Sequence, residues 1–275
     1  MDTFRAYVVD KQGETFKAGF RELTMKDLPE GEVLIRVTYS SVNYKDGLAS
    51  IPDGHIVRTY PFVPGIDLTG EVVSSVHPDF QPGMKVIVTG YELGVSHFGG
   101  FSRYARVPAA WIVPLPETLT MREAMTVGTA GFTAALSVLR AEENGLTPHQ
   151  GPVLVTGATG GVGSMAVAML ANKGYEVWAS TGKKEGAPYL QELGAKEILD
   201  RSELMPEKIR PLDQQRFAGV IDSVGGKSLA YLLSATKYGG IVTACGLTGG
   251  SDLPTTVFPF ILRGVSLLGI DSVYA

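Results

Sequence analysis

Cysteine is nearly missing from this 275-residue sequence: Cys245 is the only one. One thiol closes no internal disulfide and builds no zinc site with several cysteines. Histidine is scarce too. His55, His77, His97 and His149 show no short metal-ligand spacing and read as surface or loop residues. No Lys/Arg run occurs, the net charge is −4 and the pI is about 5.6, which argues against nucleic acid or an anionic membrane as a main partner. No apolar stretch reaches membrane-spanning length; the longest candidate, residues 165–171, is stopped by Asn172 and Lys173. The N-terminus lacks the charged-then-apolar order of a signal peptide. A soluble protein of the reducing cytoplasm is expected. Internal repeats and low-complexity segments are also lacking.

Glycine is plentiful, with 34 residues, and with 16 prolines it marks many turns. Residues 1–120 read as β-rich. In 33–39, Val33, Ile35, Val37 and Tyr39 alternate with Leu34, Arg36 and Thr38, the period of a half-buried strand. Further short strands are expected at 68–76, 84–90, 101–107 and 111–115, separated by Pro29-Glu30-Gly31, Pro82-Gly83 and Gly99-Gly100. Many short strands without helices between them predict a small β-barrel or sandwich.

The pattern changes at Thr120, where Thr120 and Glu123 have capping-box spacing and predict a helix start. A second helix is expected over 131–143. From residue 152 on, strands (152–157, 175–180, 196–200, 219–224, 240–245, 265–270) alternate with helices (161–173, 186–193), predicting a doubly wound parallel sheet over 121–275.

Between the strand at 152–157 and the helix at 161–173, Gly157, Gly160 and Gly163 stand three apart. One glycine permits the tight turn, one lets backbone N–H groups approach a pyrophosphate, and one lets helix and strand pack closely. Position 159 is Thr, so the motif is not a strict GxGxxG; its setting between strand and helix is what points to a dinucleotide. After the next strand come Ser180, Thr181, Gly182, Lys183 and Lys184, with no carboxylate to bond a ribose 2′-OH and repel a 2′-phosphate. Two hydroxyls and two ammonium groups suit that phosphate, so NADPH is expected over NADH. The same lysines also suit a plain solvated helix start.

Longer motifs resemble the medium-chain dehydrogenase/reductase superfamily, and within it the zinc-independent quinone oxidoreductases of the YhdH/YhfP type, which include acrylyl-CoA reductases. They are SSVNYKDGLA (40–49), YPFVPGIDLTGEV (60–72), GTAGFTAALSV (128–138), VTGATGGVGSMAVAML (155–170), DSVGG (222–226), CGLTGG (245–250) and PFILRGVSLLGIDSV (259–273). The resemblance implies a GroES-like catalytic domain over 1–120, a Rossmann domain over 121–275 and an active site in the cleft between them. Zinc-dependent relatives carry Cys and a His-Glu pair where this sequence has Asn43 and Ile66-Asp67. No zinc is therefore expected.

Without a Lewis acid, reduction of a polarised C=C is easier than alcohol oxidation. The expected reaction is NADPH-dependent hydride transfer to a quinone or an α,β-unsaturated carbonyl such as an enoyl thioester, a small-molecule substrate. An NADPH-binding sensor or crystallin-like protein without turnover stands as the alternative, and an aldehyde reductase as a second. By the resemblance, Asn43 and Tyr44 face the cleft, Asn43 to bond the substrate carbonyl and Tyr44 to contact the nicotinamide, to donate a proton or only to form a wall. The resemblance also implies cofactor contacts from Thr159, Gly160, Gly161 and Val162 at the pyrophosphate, from Ser180, Thr181, Gly182 and Arg201 at the 2′-phosphate, and from Leu247, Ile261 and Ser272 at the nicotinamide side. Family members continue past the position of Ala275, so a C-terminal return segment is expected to be missing here. The apolar segment 266–270 is expected to be an edge strand that a homodimer partner covers.

Overall fold

The computed structural model describes residues 3–274, and the chain forms two compact units, Met1–Thr129 with Val273–Ala275, and Ala130–Ser272.

The first unit opens with a hairpin not expected from the sequence, β1 (Thr3–Gln12) and β2 (Thr15–Thr24). Gly13 turns it at φ 60°, the left-handed value that a two-residue hairpin loop requires. Phe4, Ala6 and Val8 point inward from β1, an alternation that was available in the sequence. The expected strands follow in slightly shortened form: β3 (Val33–Tyr39), β4 (Asp67–Ser75), β5 (Lys85–Thr89), β6 (Tyr104–Val107) and β7 (Ile112–Pro114), with α1 (Tyr44–Ala49) between β3 and β4. They pair antiparallel in the order β6-β3-β4-β5-β7. Val33, Ile35, Leu68, Val72, Val86 and Val88 fill its core, each side chain contributing about 1.5–3 kcal/mol by leaving water.

The capping box at Thr120 forms. Thr120 N and Oγ1 donate to Glu123 at 2.8 and 2.7 Å, and Glu123 N donates back to Thr120 Oγ1 at 3.2 Å. The two helices expected here run as one element, α2 (Met121–Glu143), interrupted at Gly128 (φ 52°, ψ −162°).

In the second unit, β8 (Val153–Val155), β9 (Val177–Thr181), β10 (Glu197–Asp200), β11 (Phe217–Asp222), β12 (Thr236–Ala244) and β13 (Ser266–Gly269) form a parallel sheet. Its order, β10-β9-β8-β11-β12-β13, places the first strand at the centre, with later strands added outward first on one side and then on the other, the doubly wound arrangement. Every residue of β8 and β11 is buried, as expected of parallel strands covered on both faces. The helices are α3 (Gly161–Asn172), α4 (Ala187–Glu192), α5 (Gly226–Ala235) and α6 (Phe258–Arg263). The sequence pattern misses α5 because all of its residues except Lys227 are buried, so the polar stripe that marks an amphipathic helix is lacking.

Candidate functional site

The glycine turn lies where the sheet's winding reverses. Gly157 follows β8 at φ 57°, and a Cβ there would stand 2.6 Å from Oγ of Ser223, which follows the neighbouring strand β11. Ligands of open α/β sheets bind in the crevice at such a point. Gly160 precedes α3 in extended conformation (φ −81°, ψ 172°) and supplies no side-chain cap. The first N–H groups of this three-turn helix therefore have no side-chain acceptor and face the turn as an anion-binding end. A Cβ on Gly163 would meet Gly157 O at 2.5 Å and Ala158 Cα at 2.6 Å, both backbone atoms, so the helix packs on the turn only because residue 163 has no side chain. Gly161 and Val162 complete the first turn of α3, with Gly161 exposed.

The neighbouring strand end closes onto the same turn. Ala158 N donates to Ser180 O at 3.0 Å, and the hydroxyls of Thr159 and Thr181 stand 3.0 Å apart. Lys183 N donates to Thr181 Oγ1 at 3.0 Å, which shapes the bend over Gly182. The Arg201 side chain covers Gly182: a Cβ there would lie 2.8 Å from Arg201 Cδ and 3.2 Å from its Cζ. The structure thus assembles Gly157, Thr159–Gly163, Ser180–Lys183 and Arg201 into one group. Asp200, the nearby acid, caps its own turn. Its Oδ1 accepts from Ser202 N at 2.9 Å and Oγ at 2.7 Å, which holds the carboxyl below its usual range.

The remaining residues implied by the resemblance are more scattered. Leu247 sits in the loop after β12, its backbone against Gly225 and its side chain exposed. Ile261 is exposed on α6, and Ser272 accepts a 2.7 Å hydrogen bond from Thr133. One supporting residue not anticipated is Asp222, fully buried at the end of β11. It accepts from Thr156 Oγ1 and Gly225 N at 2.7 Å each and ties the ends of β8 and β11 together beneath the turn; burial pushes its carboxyl upward. The DSVGG motif carried that signal.

In the first unit, two buried carboxylates hold the Asn43–Tyr44 loop. Asp67, at the start of β4, is fully buried and receives five donors: Ser41 N (2.8 Å), Ser41 Oγ (2.5 Å), Asn43 Nδ2 (2.9 Å), Thr129 N (3.1 Å) and Thr129 Oγ1 (2.9 Å). Asp46 accepts from the backbone N–H groups of Asn43 (2.8 Å), Gly65 (3.1 Å) and Ile66 (3.0 Å); burial, with a smaller contribution from the Asp67 charge, raises its pKa. Asn43 directs its amide nitrogen to Ser41 Oγ (3.1 Å) and Asp67. Both of its N–H groups are occupied, so in this geometry it positions the loop and has no donor left for a substrate carbonyl. Tyr44 stands at the start of α1, 68% exposed.

Zinc does not fit here. Asn43, Ile66 and Asp67 occupy the positions at issue, with Asp67 already committed to five donors, and among the described residues no group of three or more His, Cys, Asp or Glu could hold a metal ion.

A doubly wound sheet with an open glycine turn, joined to an antiparallel β unit that presents a braced Asn-Tyr loop, defines a dinucleotide-binding protein of dehydrogenase type. Residues 29–117 match the alcohol dehydrogenase GroES-like domain family, and residues 161–274 the zinc-binding dehydrogenase family. The chain is 56% identical over 271 residues to "Putative quinone oxidoreductase YhfP" of Bacillus subtilis, and 56% identical over 272 residues to the acrylyl-CoA reductase AcuI of Ruegeria pomeroyi. Each match spans 98% of this chain and 82% of the relative. The crystal structure of YhfP with NAD bound superposes with a TM-score of 0.96 at 55% identity, covering 100% of this chain and 84% of that one. Escherichia coli YhdH with bound NADPH gives 0.96 at 47% identity, covering 98% and 83%. The chain belongs to the zinc-independent medium-chain dehydrogenase/reductases, in the branch of YhfP, YhdH and AcuI.

Proposed function

We infer that this protein is an NADPH-dependent oxidoreductase that reduces a quinone or an α,β-unsaturated carbonyl such as an enoyl thioester, without zinc. The observation that carries the reading is the glycine turn flanked by Thr181, Lys183 and Arg201. NADPH, when bound, supplies the hydride. The chain's own residues do the rest. The α3 N-terminus and the turn 157–163 hold the pyrophosphate. Thr181, Lys183 and Arg201 receive the 2′-phosphate, where an acidic residue would repel it. Asp67 and Asp46 fix the loop from which Tyr44 offers its hydroxyl to the carbonyl oxygen that gathers charge as hydride adds. The 56% identity to an acrylyl-CoA reductase favours turnover over a silent sensor. A cytoplasmic homodimer completes the proposal: β13 ends the sheet and presents partly buried Leu267 and Leu268 at its edge.

The test is NADPH oxidation followed with acrylyl-CoA and with a naphthoquinone. Turnover of at least one class is expected; tight NADPH binding with no turnover on either would establish the sensor instead. Tyr44→Phe is expected to lower kcat about 10²-fold, the usual minimum for a lost acid group, with the KM for NADPH little changed. Full turnover would remove the hydroxyl from the chemistry. Arg201→Gln is expected to raise the KM for NADPH about tenfold, because a charge-assisted phosphate contact contributes about 1.5–3 kcal/mol, while the KM for NADH moves less than about threefold. Equal effects on both cofactors would place Arg201 away from the 2′-phosphate.

A further inference from the structure

The first unit holds a second feature, apart from the residues proposed to hold the cofactor. Lys45, His55, Arg58, Thr59, Glu92 and Ser96 line a single cavity of about 400 Å³ between the 55–62 and 92–96 loops, a size typical of small-ligand sites. Lys45 brings an amine, Arg58 a guanidinium and His55 an imidazole, in a chain whose net charge is −4. The five ion pairs of the described residues all lie elsewhere, so Lys45 and Arg58 have no carboxylate partner. The one acid in the lining, Glu92, is engaged by the hydroxyls of Ser96 and Tyr274, and the Ser96 bond first of all keeps it below the usual carboxylate range. His55 sits at φ 55°, one of two non-glycine residues with positive φ among the described residues. Phe62 and Val95 form apolar wall, which lowers the local dielectric and strengthens any charge contact made there. Lys45 directly follows Tyr44 on α1, so the cavity is tied in sequence to the loop proposed to face the substrate.

We propose that this cavity is an anion subsite that takes the phosphate groups of a coenzyme A thioester, with Lys45 and Arg58 as the charge partners and His55 and Thr59 as further donors. The proposal rests on the reductase reading above and makes the substrate class specific. A quinone carries no phosphate and gains nothing from two unpaired cations, whereas a coenzyme A thioester carries a diphosphate and a phosphomonoester. Fixed positive charge in a concave site also steers such an anion inward.

The experiment compares acrylyl-CoA with acrylyl-pantetheine, which has the same reacting thioester and no diphosphate or 3′-phosphate, in the full chain with NADPH. For the wild type the KM for acrylyl-CoA is expected to be at least about tenfold lower, with similar kcat. The double substitution K45Q/R58Q should bring the two KM values to within about threefold, and Arg58→Lys should keep most of the difference. Equal KM values in the wild type, or a ratio untouched by K45Q/R58Q, would overturn the subsite while leaving the reductase reading intact. If neither thioester is reduced, the reductase reading fails, and calorimetry with free coenzyme A then decides the subsite alone: binding by the wild type and loss of binding in the double variant support it, and no binding by the wild type ends it. Should K45Q/R58Q fail to fold, as judged by lost NADPH binding, the wild-type KM ratio and the coenzyme A titration decide the matter.

Discussion

Gly163→Ala is expected to abolish measurable NADPH binding. The added methyl would sit 2.5 Å from Gly157 O and 2.6 Å from Ala158 Cα, distances that no Cβ occupies. Both obstacles are backbone, so relief cannot come from a side chain swinging away. The start of α3 must move off the turn, and the N–H groups proposed to hold the pyrophosphate move with it. Hydrogen bonds to a charged group contribute about 1.5–3 kcal/mol each, so losing two costs affinity by a factor of about 100 or more. Overpacking adds about 1–3 kcal/mol of destabilisation. Fluorescence titration with NADPH, alongside thermal melting, separates the two effects. Gly19→Ala in β2 is the control, since its Cβ would meet nothing within 4 Å and it lies in the first unit, away from the turn. Affinity in Gly163→Ala within threefold of wild type would show that the turn does not carry the phosphates.

Asp67→Ala should injure the other unit as severely, by a different route. Five donors converge on that carboxylate from Ser41, Asn43 and Thr129, and the carboxylate itself is fully buried. Each donor stranded without a partner costs about 1–3 kcal/mol, so a loss of at least about 3 kcal/mol is expected even if rearrangement rescues some of them. Urea unfolding of the first unit measures it. Turnover should fall with the Tyr44 loop, while NADPH binding should largely persist because the proposed phosphate contacts lie in the second unit. That split, with binding kept and turnover lost, is opposite to the pattern expected for Gly163→Ala. A stability change below about 1 kcal/mol would mean that the loop is braced by something other than Asp67.

Much of the second unit was legible because its signals are local. A short apolar run, three glycines at fixed offsets and an amphipathic helix follow one another directly, and the hydroxyls at the end of β9 with Lys183 beyond it point to the proposed adenosine end. Arg201 was reached only through the family resemblance, and its placement over Gly182 depends on pairing of β9 with β10, which no local pattern reports. Helix α5 escaped because burial on all sides erases periodicity. The first unit was less legible where its function is concerned. Asp67 looked like a vacated ligand position. Its importance comes from three donor residues, all far from it in the chain, that only the folded β4 edge brings together. The same holds for Lys45, Arg58 and Glu92: separate charges along the sequence, one cavity in the fold.

The break in α2 has an effect beyond its own helix. In an unbroken helix the Thr129 N–H would point to the carbonyl of Met125; with Gly128 at φ 52° it turns instead to Asp67. A β-carbon at 128 would also crowd Ser41 Oγ at 2.8 Å. The amide protons of Ser41 and Thr129 thus go to the two oxygens of one carboxylate, Oδ1 and Oδ2 of Asp67. Neither can exchange with water by fraying alone, and a local opening that frees one frees the other, so two segments distant in sequence melt as one cooperative patch.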